Sequence, residues 1–236
     1  PVRHPERNGV EPRDLDRKRV APSDAPTRQQ KGCEIKRLEN PKEALQALKD
    51  LQTKKELFIH VARGVQGSLF GEAIESIIFG IPAFNDTDAS LVELPTSVIR
   101  ADKKVGDACQ SVFDHQEIKF VAHDAKLQMH GLALLGLECS RWNFDIMLAA
   151  YLLGAGERNH DLPSIVERFL GLPLAIDSAP LKQAETALAI LTPVRMALTE
   201  QQLTDVLDRF ELPLVPVLKR METAGIMIDK PFLNKL

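Results

Sequence analysis

The sequence predicts a layered α/β domain followed by a helical segment towards its C-terminal end. Two short apolar runs, ELFIHVA at 56–62 and IKFVAH at 118–123, have the length and composition of buried strands. The second run leads directly into a helical stretch, DAKLQMHGLALLGL at 124–137. After Trp142 the apolar residues recur at helical spacing. Strands, then a strand-to-helix crossover, then helices are the order expected of a layered α/β architecture.

The composition is that of an ordinary globular chain. Of the 236 residues, 44% are hydrophobic and 27% are charged, which is enough apolar material for a sizeable core. The formal net charge of −3 argues neither for nor against a nucleic-acid partner, because a polymer-binding protein can confine its positive charge to one face.

Cysteine usage and hydropathy indicate the compartment. Cys33, Cys109 and Cys139 lie far apart and form no CxxC pair, so they predict neither a disulfide framework nor a zinc site. We expect free thiols in a reducing cytoplasm. No apolar run approaches the roughly 18 to 20 residues of a membrane span, and no signal-peptide pattern occurs. The chain begins with Pro1, so we interpret it as a piece of a longer cytoplasmic protein.

The first 32 residues predict a disordered linker. Pro, Arg and Asp dominate this segment, and it cannot bury enough apolar surface to offset its ordering entropy. Its basic residues could contact DNA, although solvated linker charge explains them more simply. They are Arg13, Arg17, Lys18 and Arg19.

The elements of the α/β domain follow from Cys33 onwards. Asn40 is a helix-cap candidate, Pro41 stands at the first helical position, and apolar residues follow at helical spacing. The run 56–62 is the first buried strand. The stretch GSLFGEAIESIIFGIP, at 67–82, predicts two further short strands with a turn between them.

Two amphipathic helices follow the crossover. The first, NFDIMLAAYLLG, has Asn143 or Asp145 as its cap and ends at Gly154. The second, NHDLPSIVERFLGL, is capped by Asp161 and closed by Gly171.

The C-terminal part is predicted to be helical as well. One long helix over 183–210 should kink or break at Pro193, which has no N–H to donate. A further helix ends at Gly225, and an extended IMID stretch and the start of another helix follow it. The helix before Gly225 has an apolar stripe that we expect to face a partner. The stripe consists of Leu212, Val215, Leu218 and Met221.

Two blocks of the sequence carry a specific resemblance to a known family. The block FVAHDAKLQMHGLALLGLECSRWNFDIMLAAYLLGAGERNHDLPSIVERFLG, within 118–171, is similar to the second half of the 3′–5′ exonuclease domain of bacterial family A DNA polymerases. The block ELPLVPVLKRMETAGIMID, at 211–229, resembles the start of that family's polymerase domain. The order and separation of the blocks also match. Ribonuclease D-type exonucleases share the fold but should lack the second block.

The resemblance implies both a fold and a division of the chain. The fold is ribonuclease H-like, of the 3′–5′ exonuclease type, with a mixed sheet flanked by helices. The disordered linker covers 1–32, an exonuclease-like domain covers 33–209, and the beginning of a polymerase domain covers 210–236.

The family hydrolyses phosphodiesters with two divalent metal ions, which require hard oxygen ligands. The resemblance implies an Asp-x-Glu on the first strand, an Asp in a helix after a later strand, and a Tyr-x-x-x-Asp on a late helix. Asp-x-Glu places both carboxylates on one face of a strand, and residues four apart share one face of a helix.

In this sequence those positions hold other residues. His60 stands for the Asp and Ala62 for the Glu of the first motif, and Gln128 stands for the metal-binding Asp of the second. The third motif aligns approximately, with Leu191 for the Tyr and Arg195 for the Asp. An imidazole, a methyl, an amide and a guanidinium thus replace four carboxylates. We expect Arg195 to repel cations from the former metal pocket.

Remaining acidic residues could restore a displaced site. Asp124, which occupies the usual Asn position of the second motif, is better explained as a helix cap, and so are Asp145 and Asp161. His60 alone is a poor ligand for two hard cations and is more typical of a strand histidine with a core partner.

The sequence therefore predicts part of a family A DNA polymerase, a nucleotidyltransferase of DNA replication and repair. Its exonuclease-like domain is expected to be inactive and to act as a scaffold for the rest of the polymerase chain. No metal or other cofactor is expected in this part, whereas the parent polymerase would use Mg²⁺ and contact DNA, with no membrane partner. An active proofreading exonuclease with displaced ligands and a non-catalytic single-stranded DNA-binding module are the alternatives.

Overall fold

The computed structural model describes residues 33–64, 73–83, 88–175 and 177–229. Within these residues, six strands form one sheet. The strands are β1 (Glu34–Arg37), β2 (Glu56–Arg63), β3 (Ile74–Ile81), β4 (Ser90–Pro95), β5 (Lys119–Ala122) and β6 (Phe144–Asp145). The helices of the domain are α1 (Pro41–Leu51), α2 (Thr96–Ala101), α3 (Lys103–Phe113), α4 (Ala125–Leu134), α5 (Ile146–Leu153), α6 (Leu162–Leu170) and α7 (Pro180–Glu200).

The sheet is mixed, in the order β1-β4-β3-β2-β5-β6. Strands β2, β3 and β4 form an antiparallel meander, whereas β5 is parallel to β2, β6 is parallel to β5, and β1 is parallel to β4. This mixed sheet between helices confirms the ribonuclease H-like fold class.

Helices cover both faces of the sheet. On one face Gly131 of α4 lies against Val61 of β2, where a Cβ on the glycine would be 2.8 Å from Val61 Cγ1. On the other face Leu188 of α7 lies over Gly80 of β3, the strand partner of Phe58. Because successive strand residues point to opposite faces, the two contacts place α4 and α7 on opposite sides of β2.

The helix starts follow the polar caps expected from the sequence. The side-chain oxygens of Asn40, Asp124, Asp145 and Asp161 each accept a backbone N–H in the first turn of α1, α4, α5 and α6 respectively. Gly171 closes α6 with a φ of 64°, a left-handed conformation that glycine adopts without a steric penalty.

Several elements differ from the sequence prediction. Strands β1 and β4 and helices α2 and α3 were not predicted, because their short apolar patterns are interrupted by charged residues. The stretch 67–82 contributes β3, and its first half lies outside the described residues. The predicted linker 1–32 and the helix start after Asp229 also lie outside them.

The long helix predicted over 183–210 has other limits than expected. Of the kink or break expected at Pro193, the break does not occur, because packing on the sheet offsets the hydrogen bond that the missing N–H removes from helix α7. The helix ends instead at Glu200, and Gln202 has a φ of 57°. Helix α8 (Thr204–Val206), a π-helical turn (Leu207–Glu211) and α9 (Leu212–Ala224) follow.

The apolar stripe expected on α9 is divided between two surroundings. Leu212 and Val215 are buried in the core of the domain, so this chain already covers them and they do not face a separate partner. Leu218 and Met221 are exposed, together with Phe210 of the π-helical turn. The helical period groups these residues on one side of α9, but it does not show that only the first half of the helix reaches the core.

Candidate functional site

The first-motif position His60 lies on β2 beside His123, just beyond the place where the parallel β2–β5 pairing ends. The last paired residues are Phe58 and Val121. His60 lies two residues after Phe58 on β2, and His123 lies two residues after Val121, just past the end of β5. Burial, with the neighbouring His123 and Arg63, lowers the pKa of His60 to about 4. Burial also lowers the pKa of His123, despite the nearby carboxylates of Asp124 and Asp161. Both imidazoles are therefore neutral at pH 7.

Ala62 lies on the same face of β2 as His60 and is 1% exposed. Its methyl group packs in the core and offers no ligand atom. Its strand partner is Ser76 of β3, whose hydroxyl is buried with no hydrogen-bond partner among the described residues.

Gln128, at the second-motif position, is 3% exposed and joins α4 to β2. Its Oε1 accepts a hydrogen bond from the backbone N–H of Val61 at 2.8 Å. Its Nε2 donates to the carbonyl of His123 at 3.0 Å and lies 3.4 Å from that of Asp124. Both ends of the amide are thus occupied by backbone groups.

Asp124 and Asp145 together organise the turn that leads into α4. Asp124 has a φ of 55° and accepts from the N–H of Leu127 at 3.0 Å. Asp145 is 1% exposed and accepts from the N–H of Asp124, Ala125 and Met147 at 3.1, 2.7 and 2.8 Å. Burial raises the pKa of Asp145 to about 6, against the lowering effect of these donors. The expected capping roles of Asp124, Asp145 and Asp161 are confirmed.

Arg195 does not lie beside His60, contrary to expectation. Its guanidinium binds both carboxylate oxygens of Glu56 at 2.9 and 2.6 Å and lies 4.8 Å from the ring centroid of Phe144. Glu56 is the first residue of β2, four residues before His60, which corresponds to roughly 13 Å along a strand. The carboxylate neutralises the guanidinium, so repulsion of cations from a pocket at His60 does not arise from this residue.

Leu191 is 2% exposed and lies one helical turn from both Leu188 and Arg195. Since Leu188 packs over Gly80 and Arg195 binds Glu56, Leu191 belongs to the same stripe of α7 against the sheet. The structure therefore places Gln128 against the β2 backbone at Val61, between His60 and Ala62 in sequence, with Asp124 at the start of the same helix α4. Leu191 and Arg195 lie on α7 near the first residues of β2.

The donor set around His60 does not fit a pair of hard divalent cations. The predicted ligand positions supply a neutral imidazole, a methyl group and an amide whose oxygen and nitrogen are both engaged. The nearby Asp124 carboxylate caps α4, whereas such cations require several free carboxylate oxygens. Across the described ranges, no group of three or more His, Cys, Asp or Glu side chains is arranged to hold a metal ion.

Sequence reasoning missed two contributors to this region. His123 was not singled out, because its position beside His60 depends on strand register. Glu56 was treated as the start of a strand, and nothing in its sequence neighbourhood indicates a partner 139 residues later.

Comparisons with known proteins agree with this architecture. Residues 87–178 match the family described as DNA polymerase I, ribonuclease H-like domain. DNA polymerase I of Chloroflexus aurantiacus is 33% identical over 143 residues, which cover 51% of this chain and 15% of that protein. This part of the chain is thus similar to the ribonuclease H-like domain of bacterial DNA polymerase I.

Solved structures share the fold of this chain, which confirms the predicted ribonuclease H-like fold. The POL domain of Pol1 from M. smegmatis, solved with DNA primer-template and dNTP, superposes with a TM-score of 0.68 at 24% identity, over 86% of this chain and 34% of that one. The catalytic core of RRP6 from Trypanosoma brucei gives a TM-score of 0.58 at 15% identity, over 78% and 52% of the two chains. The chain spans about 15% of the length of the curated relative described above.

The described helices were also compared with the requirements of a membrane span. None of them combines the length and the apolar composition that crossing a bilayer needs.

Proposed function

We propose that this domain is a non-catalytic member of its family and acts as a structural platform within a family A DNA polymerase. In this proposal residues 33–209 form the exonuclease-like platform and 210–236 begin the polymerase domain. The observation that carries the proposal is the hydrogen bonding of Gln128. A residue that occupies the position of a metal ligand instead joins two elements of the fold through its amide.

A platform needs a surface on which the rest of the polymerase can pack. Apolar side chains lie exposed along one side of the π-helical turn and α9, at positions i, i+4, i+8 and i+11. We call them the α9 stripe: Phe210, Leu214, Leu218 and Met221, which are 59, 48, 43 and 64% exposed. An exposed apolar strip of this kind is typical of a surface that another domain covers. We infer that the rest of the polymerase domain packs on this first helix of its own segment, whose start is buried in the platform, and that DNA contacts belong to the assembled protein.

The loss of catalysis is tested with a 5′-labelled single-stranded oligonucleotide. The purified chain is incubated with Mg²⁺ and, separately, with Mn²⁺, beside an active family A proofreading exonuclease as positive control. The proposal predicts no shortening of the oligonucleotide under conditions in which the control degrades it completely. Metal-dependent shortening would instead establish the displaced-ligand exonuclease.

The platform role is tested by mixing the chain with a separately expressed polymerase domain of the parent protein. The proposal predicts a complex that the double variant L214E/L218E weakens at least tenfold. Retention of the complex by that variant would place the interface elsewhere. Salt-sensitive binding of single-stranded DNA by the chain alone, without cleavage, would support the DNA-binding module in place of the platform.

A further inference from the structure

The two halves of α9 are attached to the domain in different ways. Its first half is anchored by burial, with Leu212 and Val215 8% and 4% exposed. From Arg220 to Asp229 every residue is exposed. Apolar packing therefore holds the start of the helix but not its end.

A cavity of about 300 Å³ lies beside the place where α4 and α9 meet. Met129 and Ala133 of α4 and Pro216, Lys219 and Arg220 of α9 line it. The packing of the middle of α9 on α4 is therefore incomplete, and specific contacts further along the helix gain importance for its second half.

Glu222 makes such contacts. One of its carboxylate oxygens lies 2.6 Å from Lys126 Nζ, and the other lies 2.9 Å from His130 Nε2. Lys126 and His130 are four residues apart, so they share one face of α4. The hydrogen bonds from Lys126 and His130 lower the pKa of Glu222, so its carboxylate is ionised throughout the neutral range.

The charge of His130 decides whether its contact is an ion pair or a neutral hydrogen bond. The imidazole forms an ion pair with Glu222 only when it is protonated. The charged groups on the neighbouring elements are Arg63 of β2, which donates to the carbonyl of Leu127, and Lys126, one turn away on α4. On α9, Glu222 contacts His130, and Lys219 and Arg220 line the cavity next to this contact.

We propose that Lys126, His130 and Glu222 form a polar latch that fixes the second half of α9 to α4 and tightens when His130 is protonated. The latch sets the direction in which Leu218 and Met221 face, because both lie on the half of α9 that it holds. Release would free this half while Leu212 and Val215 keep the first half in the core. The orientation of the exposed apolar surface would thus depend on whether the latch is formed.

Hydrogen exchange of the backbone amides at 218–224 tests the latch, with rates corrected for the intrinsic pH dependence. E222Q keeps helix propensity and removes the charge, so these amides should exchange about two- to fivefold faster at pH 6. D107N is the matched control, because Lys103 and Asp107 pair within α3 and join no two elements. It should leave α9 unchanged.

Two further measurements separate the latch from a local helix effect. The charge exchange K126E/E222K should restore most of the protection that E222Q loses. Wild-type protection should be higher at pH 6 than at pH 8, and H130Q should abolish that difference. Equal α9 protection in the wild type and E222Q would overturn the latch, and a pH dependence that persists in H130Q would overturn the role of His130.

Discussion

The side-chain oxygen of Gln128 accepts the backbone N–H of Val61 at 2.8 Å. The strand pairing in the sheet explains why this N–H is bonded by a side chain. Paired residues of β2 and β5 end at Phe58 and Val121, so the β2 edge beyond them needs another acceptor. Gln128 supplies it and donates to the carbonyl of His123 with its other end. A carboxylate in place of the amide could not donate to that carbonyl when ionised.

The first prediction concerns Gln128→Leu. Leucine has a similar volume but leaves the Val61 N–H and the His123 carbonyl without their partner. We expect a loss of about 1–3 kcal/mol in the free energy of unfolding, measured by urea denaturation. Q46L is the control, because Gln46 is exposed and bonds only to Asp50 within α1. If the two variants lose equally little stability, the Gln128 amide does not stabilise the contact between α4 and β2.

His60 gives the domain a specific acid sensitivity. Its folded-state pKa of about 4 lies below the ordinary value of 6.5, so the unfolded chain takes up the proton first. The contribution of His60 to stability is therefore complete above pH 6.5 and is lost as the pH falls towards 4. Urea unfolding of the wild type and His60→Asn should show a stability difference that changes over this window. A difference independent of pH would contradict the buried, neutral state of His60.

The pair Arg195–Glu56 predicts that a lysine cannot replace the arginine. Arg195→Lys keeps the charge but loses the two-oxygen contact and the planar group over Phe144. We expect a loss of about 1 kcal/mol in unfolding free energy. K182Q, which breaks the exposed Lys182–Glu185 pair, should change stability by less than about 0.5 kcal/mol. An Arg195→Lys variant as stable as the wild type would show that the two-oxygen contact of the guanidinium contributes nothing to the free energy of unfolding.

Two glycine substitutions should have opposite effects. A Cβ at Gly131 would be 2.8 Å from Val61 Cγ1, so Gly131→Ala must move α4 away from β2 and should cost about 1–3 kcal/mol. A Cβ at Gly106 of α3 would meet nothing nearer than 3.9 Å, so Gly106→Ala should stabilise the domain by about 0.5–1 kcal/mol. Thermal unfolding of the two variants checks both signs, and a tolerated Gly131→Ala would contradict the close approach of α4.

Much of the architecture could be predicted from local sequence. The caps at Asn40, Asp124, Asp145 and Asp161 depend only on a side-chain oxygen and the next three N–H groups, so the residue types reveal them. The buried strands β2 and β5 are long enough to stand out as apolar runs.

The remaining features depend on distant contacts. The end of α7 is set by the left-handed backbone of Gln202, and the continuation through Pro193 is set by packing on the sheet. The position of Arg195 depends on where α7 crosses β2, because a helix aligned only approximately can be displaced by a turn or more. No pattern in the sequence indicates where α7 crosses β2.

Calorimetric titration of the chain with Mn²⁺ tests the central claim most directly, since it asks whether the region around His60, Ala62 and Gln128 still holds a metal. An active proofreading exonuclease of the same family, titrated under the same conditions, provides the reference heat. The account predicts no binding heat for this chain up to millimolar Mn²⁺. A saturable heat that the Gln128→Leu variant abolishes would contradict it and would establish a metal site at this position.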